Sequence, residues 1–485
     1  MPRVDEFLAK YVVKSKSKWL KTAEEFKLDS DLTIEFVDKM LTNEVKQGIQ
    51  AVETKLNTIN NALGQTAFVT WSLGLGTSEE SRLIQKTILQ NRIDGLGQNK
   101  LTAVFPKLIY IHRNEINGLP NSPNYDIKMM ALDCSLKRIY PDWLSIDEGY
   151  LKEVYERSGE VVTAMGCRAF LSPYWDINNK EIYEGRGNLG AVSLNLPKMA
   201  IESKGDINVF FDLVDKYMNI IAEIHDWTYE KVGKKYGSSN PLMFCEGGGW
   251  KSVGYNERIA PILEAYTTSF GYVGLEETCH ALLGSGLKDN REFAEKIVQF
   301  MQDKIEELKV EYGRLFALYS TPAESLIYTF QKANRQKYGV IEGVTDKDYM
   351  TNSFHVHVTE QVGLIEKQNI EIPMFNIAKG GRIMYNEFPT TANKQACLSA
   401  LNHAMKIGSY YGINTQNDTC CSCGFQSDFE GKNCPKCGST EVTSINRVCG
   451  YLSYEKIKGD TRYNVGKLAE VRDRVKHSED TSTRS

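Results

Sequence analysis

AFVTWSLGL (residues 67–75) is a short apolar run of the kind that forms a buried β-strand. LTAVFPKLIYI (101–111) and GAVSLNLP (190–197) repeat this character further along the chain. Between and after them the apolar residues recur with helical spacing in three stretches: IDEGYLKEVYERS (146–158), INVFFDLVDKYMNIIAEIHDWTYEKV (207–232) and REFAEKIVQFMQDKIEELKVEYGRL (291–315). This alternation predicts an α/β architecture with parallel strands, arranged as an open sheet or a barrel.

The composition indicates a soluble protein with a substantial core. Of the 485 residues, 41% are hydrophobic and 25% are charged, and the formal net charge is −4. That charge disfavours nucleic acid as the main partner, because phosphate binding usually needs a basic surface. The chain has no apolar run long enough to span a membrane and no signal-peptide pattern at its N-terminus. We therefore expect a cytoplasmic protein without a membrane partner.

Residues 1–65 are predicted to be helical. From Val37 onward one apolar stripe recurs every three or four residues and ends before Gly64, a plausible helix stop. The stripe consists of Val37, Met40, Leu41, Val45, Ile49, Val52, Leu56, Ile59 and Leu63. Either this helix packs on its own domain, or the length and heptad-like spacing of the stripe indicate a contact between subunits.

Five of the eleven cysteines lie close together between Cys420 and Cys437. The ligand set that we predict is Cys420, Cys423, Cys434 and Cys437. These form two CxxC pairs, each followed by glycine, and four thiolates at this spacing are typical of a zinc ribbon. Cys421 is surplus to the set. Because DFEG (428–431) between the pairs is not basic, we expect a structural role for the zinc.

Two further segments have open interpretations from the residues alone. Gly450, in RVCGYL (447–452), could simply be a turn residue. In STPAES (320–325), Thr321 can cap a helix with Pro322 at its first position and Glu324 completing a capping box. Such a helix start either presents free N–H groups to a nucleotide phosphate or is a cap and nothing more. Ser320 and Thr321 are therefore candidate substrate-binding residues.

RVCGYL just after a four-cysteine ribbon resembles the glycyl-radical loop of the anaerobic (class III) ribonucleotide reductases. The similarity covers almost the whole chain, from about Arg3 to His477, in the family's order. The segments that carry it are LGQTAFVT (63–70), IQKTILQNRIDGLG (84–97), FPKLIYI (105–111), NYDIKMMALDCSLKRIYPDWL (124–144), MGCRAFL (165–171), GRGNLGAVSLNLPKMA (185–200), YSTPAESL (319–326), TNSFHVHV (351–358) and RVKH (474–477).

The resemblance implies a role for three residues. Gly450 would hold the radical, since only a residue without a side chain can flatten at Cα and share the electron between its amide and carbonyl groups. Cys167, in MGCR (165–168), matches the finger-loop cysteine that becomes a thiyl radical and removes the 3′ hydrogen of the substrate. Asn188, in GRGN (185–188), matches the asparagine that orients the ribose hydroxyls, although an asparagine beside glycine is also a common loop former.

The resemblance also implies the activity and the partners. It implies anaerobic reduction of ribonucleoside triphosphates, with formate as the reductant, a radical S-adenosylmethionine activase and a homo-oligomeric assembly. The implied fold is the α/β barrel of the glycyl-radical enzymes with a C-terminal zinc ribbon. The domains expected are a helical segment (1–65), the barrel with its finger loop near 167 (66–412), the ribbon (413–445), the radical loop and C-terminal segment (446–477) and a disordered tail (478–485).

The family's usual chain has additional N-terminal parts, which are an ATP-binding domain and the first barrel strand with a second active-site cysteine. The barrel expected here is therefore incomplete at that strand. Three explanations are open: a split gene whose companion chain supplies the strand, a truncated product, or an intact but inactive protein. We favour the companion chain. The rival functions are another glycyl-radical enzyme, which would typically lack this ribbon and MGCR, and a catalytically silent scaffold or regulatory fragment.

Overall fold

The computed structural model describes residues 1–59, 66–389, 393–429 and 433–477. The chain divides into two compact units, the first formed by Met1–Gly166, Tyr385–Arg462 and the segment from Lys476 onward, the second by Cys167–Met384 and Tyr463–Val475. Leu63, the predicted stop at Gly64 and the predicted disordered tail at 478–485 lie outside the described residues.

Helices and strands alternate along both units. The α-helices are α1 (Val4–Glu25), α2 (Ser30–Thr58), α3 (Glu79–Asp94), α4 (Tyr125–Arg138), α5 (Gly149–Ser158), α6 (Leu196–Glu202), α7 (Ile207–Gly233), α8 (Pro241–Phe244), α9 (Ala260–Leu263), α10 (Leu275–Leu283), α11 (Arg291–Tyr312), α12 (Leu326–Tyr338), α13 (Leu364–Ile377), α14 (Lys394–Lys406) and α15 (Val465–Asp473). The strands are β1 (Thr70–Leu73), β2 (Lys107–His112), β3 (Asp142–Ser145), β4 (Asn188–Asn195), β5 (Thr267–Val273), β6 (Leu315–Ser320), β7 (Met384–Glu387), β8 (Tyr410–Asn414), β9 (Asn417–Cys420), β10 (Gln426–Ser427), β11 (Val442–Arg447), β12 (Leu452–Ile457) and β13 (Asp460–Thr461).

The first unit contains a mixed sheet in the order β1-β2-β3-β8-β7. Strand β2 pairs in parallel with β1 and β3, and β8 joins β3 in the antiparallel direction. Every residue of β2 and β3 is buried. Such strands need apolar side chains on both faces, which is why AFVTWSLGL and LTAVFPKLIYI are nearly continuous apolar runs. Both predicted strands are confirmed.

A second, antiparallel sheet of the first unit has the order β10-β9-β11-β12-β13. The cysteine pairs lie around β9 and β10, and the turn between β11 and β12 contains Gly450. Cys420, Phe429, Cys434 and Val442 form the small buried cluster of this sheet, with Phe425 packed against it.

The second unit contains a parallel sheet in the order β4-β5-β6. Thr267 of β5 lies level with Asn188 of β4 and Leu315 of β6, whereas Tyr272 of β5 lies level with Ser320 of β6. All seven residues of β5 are buried, because helices such as α7 and α11 cover the sheet. The segment GAVSLNLP and the three predicted helical stretches form β4, α5, α7 and α11. The predicted α/β class is confirmed, and the predicted parallel pairing holds for β1-β2-β3 and β4-β5-β6, whereas β8 joins β3 in the antiparallel direction.

Helices α1, α2 and α3 pack against one another in the first unit. Val37, Leu41 and Ile49 of the predicted stripe are buried there, and the buried Glu53 carboxylate pairs with Arg92 of α3 at 2.8 Å. This packing favours the interpretation in which the stripe serves its own domain. Within the described residues, no helix combines the length and the apolarity needed to cross a bilayer.

Candidate active site

Gly450 lies in a tight turn whose first three residues are buried. The Gly450 turn, defined here as residues 448–451, is closed by a hydrogen bond from the Val448 amide to the Tyr451 carbonyl at 3.0 Å. Val448 is 5% exposed and Cys449 is 3% exposed, and Gly450 is also buried. The backbone of Gly450 is therefore shielded from solvent.

Charged side chains surround this turn in the interior of the first unit. The Lys107 ammonium group donates a hydrogen bond to the Gly450 carbonyl oxygen. Lys107 also pairs with the Asp142 carboxylate at 3.1 Å, and Arg447 pairs with the other oxygen of that carboxylate at 2.7 Å. None of the three side chains is more than 1% exposed. Buried charges persist only when they are paired and hydrogen-bonded, so these contacts fix the base of the turn.

Tyrosines complete the surroundings of the turn. The Leu452 amide donates to the Tyr140 hydroxyl at 3.2 Å, and the Tyr410 hydroxyl donates to Asp142 at 3.3 Å. Burial raises the pKa of both phenols well above the usual range, so both keep their protons at neutral pH. On the other side the Tyr451 ring packs edge-on against Phe68 with 5.1 Å between centroids.

Cys167 lies in a turn at the start of the second unit and is partly exposed. The backbone after it is pinned to the segment that follows α13. Phe170 donates to the Gly380 carbonyl at 2.9 Å, and Arg382 donates to the Arg168 carbonyl at 3.1 Å. Gly381 is needed at this crossing, because a Cβ there would collide with the ring of Tyr319. The loop of Cys167 is thereby held against the end of β6.

A carboxylate approaches Cys167 within the same unit. The Cys167 sulfur and a Glu324 carboxylate oxygen lie within 4.8 Å of each other. The capping box predicted for Glu324 is wrong, since α12 begins at Leu326 with Ser325 as a cap that makes no side-chain hydrogen bond. The backbone of 321–325 instead forms a short connection, in which the Ala323 amide donates to Asn352 at 2.8 Å. Because Glu324 does not cap a helix, its carboxylate can approach Cys167.

Ser320 and Thr321 lie at the end of β6, the strand against which the loop of Cys167 is held. The Ser320 hydroxyl lies 3.2 Å from the Tyr272 hydroxyl, and the Thr321 hydroxyl lies 2.8 Å from that of Ser193 on β4. Gly271 on the central strand leaves the room for this second contact, because a Cβ there would overlap both hydroxyls. The two predicted substrate-binding residues thus begin the connection that contains Glu324, whose carboxylate lies within 4.8 Å of the Cys167 sulfur.

Asn188 lies at the opposite end of the sheet. It starts β4 level with Thr267, five residues before Tyr272, which places it about 17 Å along the strands from Ser320. Its amide group donates to Ser269 at 2.7 Å and its oxygen accepts from the Gly190 amide at 2.9 Å. Asn188 and Ser320 therefore lie toward opposite ends of the sheet, and the role of Asn188 in binding the ribose stays a prediction.

The four predicted zinc ligands converge in the first unit. The sulfurs of Cys420, Cys423, Cys434 and Cys437 all lie within 4.8 Å of one another. Cys420 and Cys437 have sulfurs 3.5 Å apart, and Cys423 and Cys434 have sulfurs 3.7 Å apart. Thiolates about 2.3 Å from a tetrahedral zinc would be separated by about 3.8 Å. The donor set and its spacing fit a four-thiolate zinc site.

The sequence interpretation missed Lys107, Asp142 and the position of Glu324. A usable signal existed for the first two, since Lys107 stands in the apolar run FPKLIYI and Asp142 in YPDWL. A charged residue inside a buried strand must find a partner. The partners themselves are up to 343 residues away along the chain, so no local pattern could name them.

Known proteins are similar to this chain over almost its whole length. A family model described as anaerobic ribonucleoside-triphosphate reductase matches residues 1–477. The protein of that name from Escherichia coli (strain K12) is 39% identical over 98% of this chain, which spans 67% of that relative. The one from Enterobacteria phage T4 is 35% identical over 98% of this chain, which spans 78% of it.

Solved structures share the fold. The anaerobic ribonucleotide reductase from Thermotoga maritima, solved in complex with dATP and CTP, superposes with a TM-score of 0.62 at 15% identity, covering 93% of this chain and 75% of that one. A protein of 1,2-propanediol dehydration from Roseburia inulinivorans superposes with a TM-score of 0.58 at 10% identity, covering 94% and 63%. From its sequence matches, this chain belongs to the anaerobic ribonucleoside-triphosphate reductase family.

Proposed function

We propose that this chain reduces ribonucleoside triphosphates to deoxyribonucleotides under anaerobic conditions, with a radical stored at Gly450. The observation that carries the proposal is the buried, side-chain-free Gly450 in a closed turn of a chain from this family. A carbon radical needs protection from water and oxygen, and burial supplies it. Catalytic chemistry of this kind explains why a turn with a glycine at its tip lies in the interior.

The proposed sequence transfers one hydrogen atom at a time. The activase would transfer one electron from its reduced iron–sulfur cluster to S-adenosylmethionine, whose C5′–S bond would break to give methionine and a 5′-deoxyadenosyl radical. This radical would take the Cα hydrogen of Gly450 and leave as 5′-deoxyadenosine. Gly450 then takes the hydrogen atom of the Cys167 thiol, and the Cys167 thiyl radical takes the 3′ hydrogen of the ribose. The partial exposure of Cys167 supports this role, because a cysteine that reacts with a nucleotide must be accessible.

Three further residues have proposed roles toward the substrate. Ser320 and Thr321 would bind the triphosphate with their hydroxyl groups. The short distance between the Glu324 carboxylate, in the connection that follows Ser320, and the Cys167 sulfur supports this role. Asn188 would orient the ribose hydroxyls, and this requires its amide to exchange its contacts with Ser269 and Gly190 for the substrate.

The cofactors and partners follow from the family. We propose a structural zinc at Cys420, Cys423, Cys434 and Cys437, and formate as the electron donor. The partners would be a radical S-adenosylmethionine activase, a second copy of the chain, and a companion polypeptide that contributes the upstream strand and its cysteine.

Electron paramagnetic resonance tests the proposal. We expect the anaerobic protein, incubated with the activase and S-adenosylmethionine, to give a doublet from coupling of the unpaired electron to the one remaining Cα hydrogen. Gly450→Ala should abolish the doublet, because the methyl group prevents the flattening that delocalises the electron. Cys167→Ser should keep the doublet but abolish deoxyribonucleotide formation. A doublet that survives in Gly450→Ala would overturn the assignment of the radical.

The same experiment separates the rival functions. A silent scaffold or regulatory fragment would give no radical even when a companion chain is present. Another glycyl-radical enzyme would give the Gly450 doublet but no deoxyribonucleotide from any ribonucleoside triphosphate, with or without formate.

A further inference from the structure

We propose that Lys107 is a positioning residue for the radical, which holds the Gly450 carbonyl oxygen with its ammonium group and thereby stabilises the unpaired electron on the adjacent Cα. The inference rests on the proposed function, since it concerns the radical at Gly450. It adds an electrostatic interaction to that site, and no bond forms or breaks at Lys107.

The geometry holds the Lys107 ammonium group against the carbonyl oxygen of Gly450. Lys107 is the first residue of β2, and every residue of this strand is buried, so its backbone cannot move away. Its ammonium group donates to the Gly450 carbonyl and lies 3.1 Å from Asp142, which fixes the side chain from the other side. The ammonium also lies 5.1 Å from the centre of the Tyr410 ring. A long flexible side chain is thus held in one orientation.

The charges around the turn favour negative charge on that oxygen. Lys107 pairs with one oxygen of the Asp142 carboxylate and Arg447 pairs with the other. Arg447 also donates to the carbonyl oxygens of Ile139 and Ile413, at 3.1 and 3.4 Å. In the interior such interactions are only weakly screened. The Lys107 ammonium group thus contacts both the Asp142 carboxylate and the Gly450 carbonyl, and its positive charge acts on that carbonyl.

The electronic structure of the radical makes use of this charge. An unpaired electron on a glycine Cα is shared between the amide nitrogen, which gives electron density, and the carbonyl oxygen, which receives it. A cation at the oxygen stabilises this transfer of density more than it stabilises the closed-shell peptide. A hydrogen bond that is stronger in the radical than in the closed-shell peptide shifts the hydrogen-atom exchange between glycine and thiol toward the glycyl radical. Lys107 should therefore favour the radical on Gly450 over the radical on sulfur.

Spectroscopy of Lys107 variants tests this inference. We expect Lys107→Met to lower the radical yield by about tenfold or more, as for loss of a charge-assisted hydrogen bond. In high-field electron paramagnetic resonance the largest g value of the remaining radical should rise, because more spin stays on the carbonyl oxygen. Electron–nuclear double resonance in D2O should show an exchangeable deuteron near the wild-type radical that is missing in the variant. Lys107→Arg should retain the wild-type g value, and Lys107→Gln should lie between Arg and Met.

Lys128→Met is the matched control. Lys128 is another buried lysine of the first unit that donates to a backbone carbonyl, that of Gly118, at 3.1 Å. If Lys107→Met does not fold, as shown by its circular dichroism and zinc content, the comparison of Lys107→Arg with Lys107→Gln decides. A Gly450 doublet with the same yield and g values in wild type, Lys107→Gln and Lys107→Met overturns the inference and leaves the proposed function intact. A wild-type radical that Gly450→Ala does not abolish overturns the proposed function itself.

Discussion

Glu277 of α10 illustrates how strongly the interior acts on a single carboxylate. Burial raises its pKa to about 7, although the amide and hydroxyl of Thr351 donate to one of its oxygens at 2.6 and 2.9 Å. The second oxygen is buried without a hydrogen-bond partner. The folded chain thus binds this proton more tightly than the unfolded chain, in which the pKa is near 4.5. Its contribution to stability is complete below about pH 4.5 and is lost as the pH rises through 7.

Glu277→Gln should therefore stabilise the chain at neutral pH. The amide keeps an oxygen for the Thr351 donors and removes the cost of a buried charge. Relative to wild type, we expect the free energy of unfolding of the variant to rise by about 3 kcal/mol between pH 4.5 and pH 8. Urea denaturation across this range measures it. The exposed Glu342→Gln serves as the control, and a difference for Glu277→Gln that does not vary with pH would contradict the assignment.

At the residue scale, the sequence predicts groups of residues that are close together in the chain and misses contacts between residues that are far apart in it. The four cysteine ligands could be named because two short CxxC turns determine their geometry. The contact of Lys107 with Gly450 could not, since it joins strands 343 residues apart in the chain. Asn188 was identified only through the family resemblance, and its contacts here are those of an asparagine at a strand start.

At the scale of elements, periodicity predicted the strands and helices better than the capping rules predicted their ends. The apolar runs located β1, β2 and β4 because buried parallel strands need such runs. The capping pattern, with Thr321 as the cap and Pro322 as the first helical residue, placed the helix start four residues too early, since α12 begins at Leu326. The hydroxyl of Thr321 instead contacts Ser193 across the sheet. Tertiary contacts from another strand therefore override a local capping signal.

The segment with the four clustered cysteines is an element whose stability should depend on the proposed zinc. Two of the four cysteines, Cys420 and Cys434, form a buried cluster of this sheet with Phe429 and Val442, so a metal held by the cysteines would also hold this cluster together. We expect about one zinc per chain, and we expect Cys434→Ser to release it and to block radical formation at Gly450. Zinc analysis by atomic absorption, together with the Gly450 doublet, measures both effects.

Cys421→Ser is the matched control for this prediction. Cys421 neighbours a ligand, but its sulfur lies 3.3 Å from the Thr443 hydroxyl and outside the four-sulfur group. It should retain the zinc and the radical. A metal-free protein that still takes up the radical would show that the ribbon has another role.

At the scale of the whole molecule, the second unit has one sheet edge that differs from the other. The outer edge of β6 is covered by the segment after α13, where Gly380 donates to Leu318 and Ser320 donates to Gly381. Among the described residues, no strand pairs with the outer edge of β4. Most residues of β4 are partly exposed, whereas all of β5 is buried. An open edge of this kind is a ready template for another chain.

The companion-chain hypothesis predicts that this edge is where the partner strand adds. Hydrogen–deuterium exchange would be measured on the chain alone and on the chain coexpressed with the product of the neighbouring upstream reading frame. We expect the amides of 188–195 to exchange about tenfold more slowly in the complex, because a pairing strand protects them, while the amides of β5 should not change. A stable complex that leaves 188–195 unprotected would mean that the partner binds elsewhere, and the edge of β4 would then need another explanation.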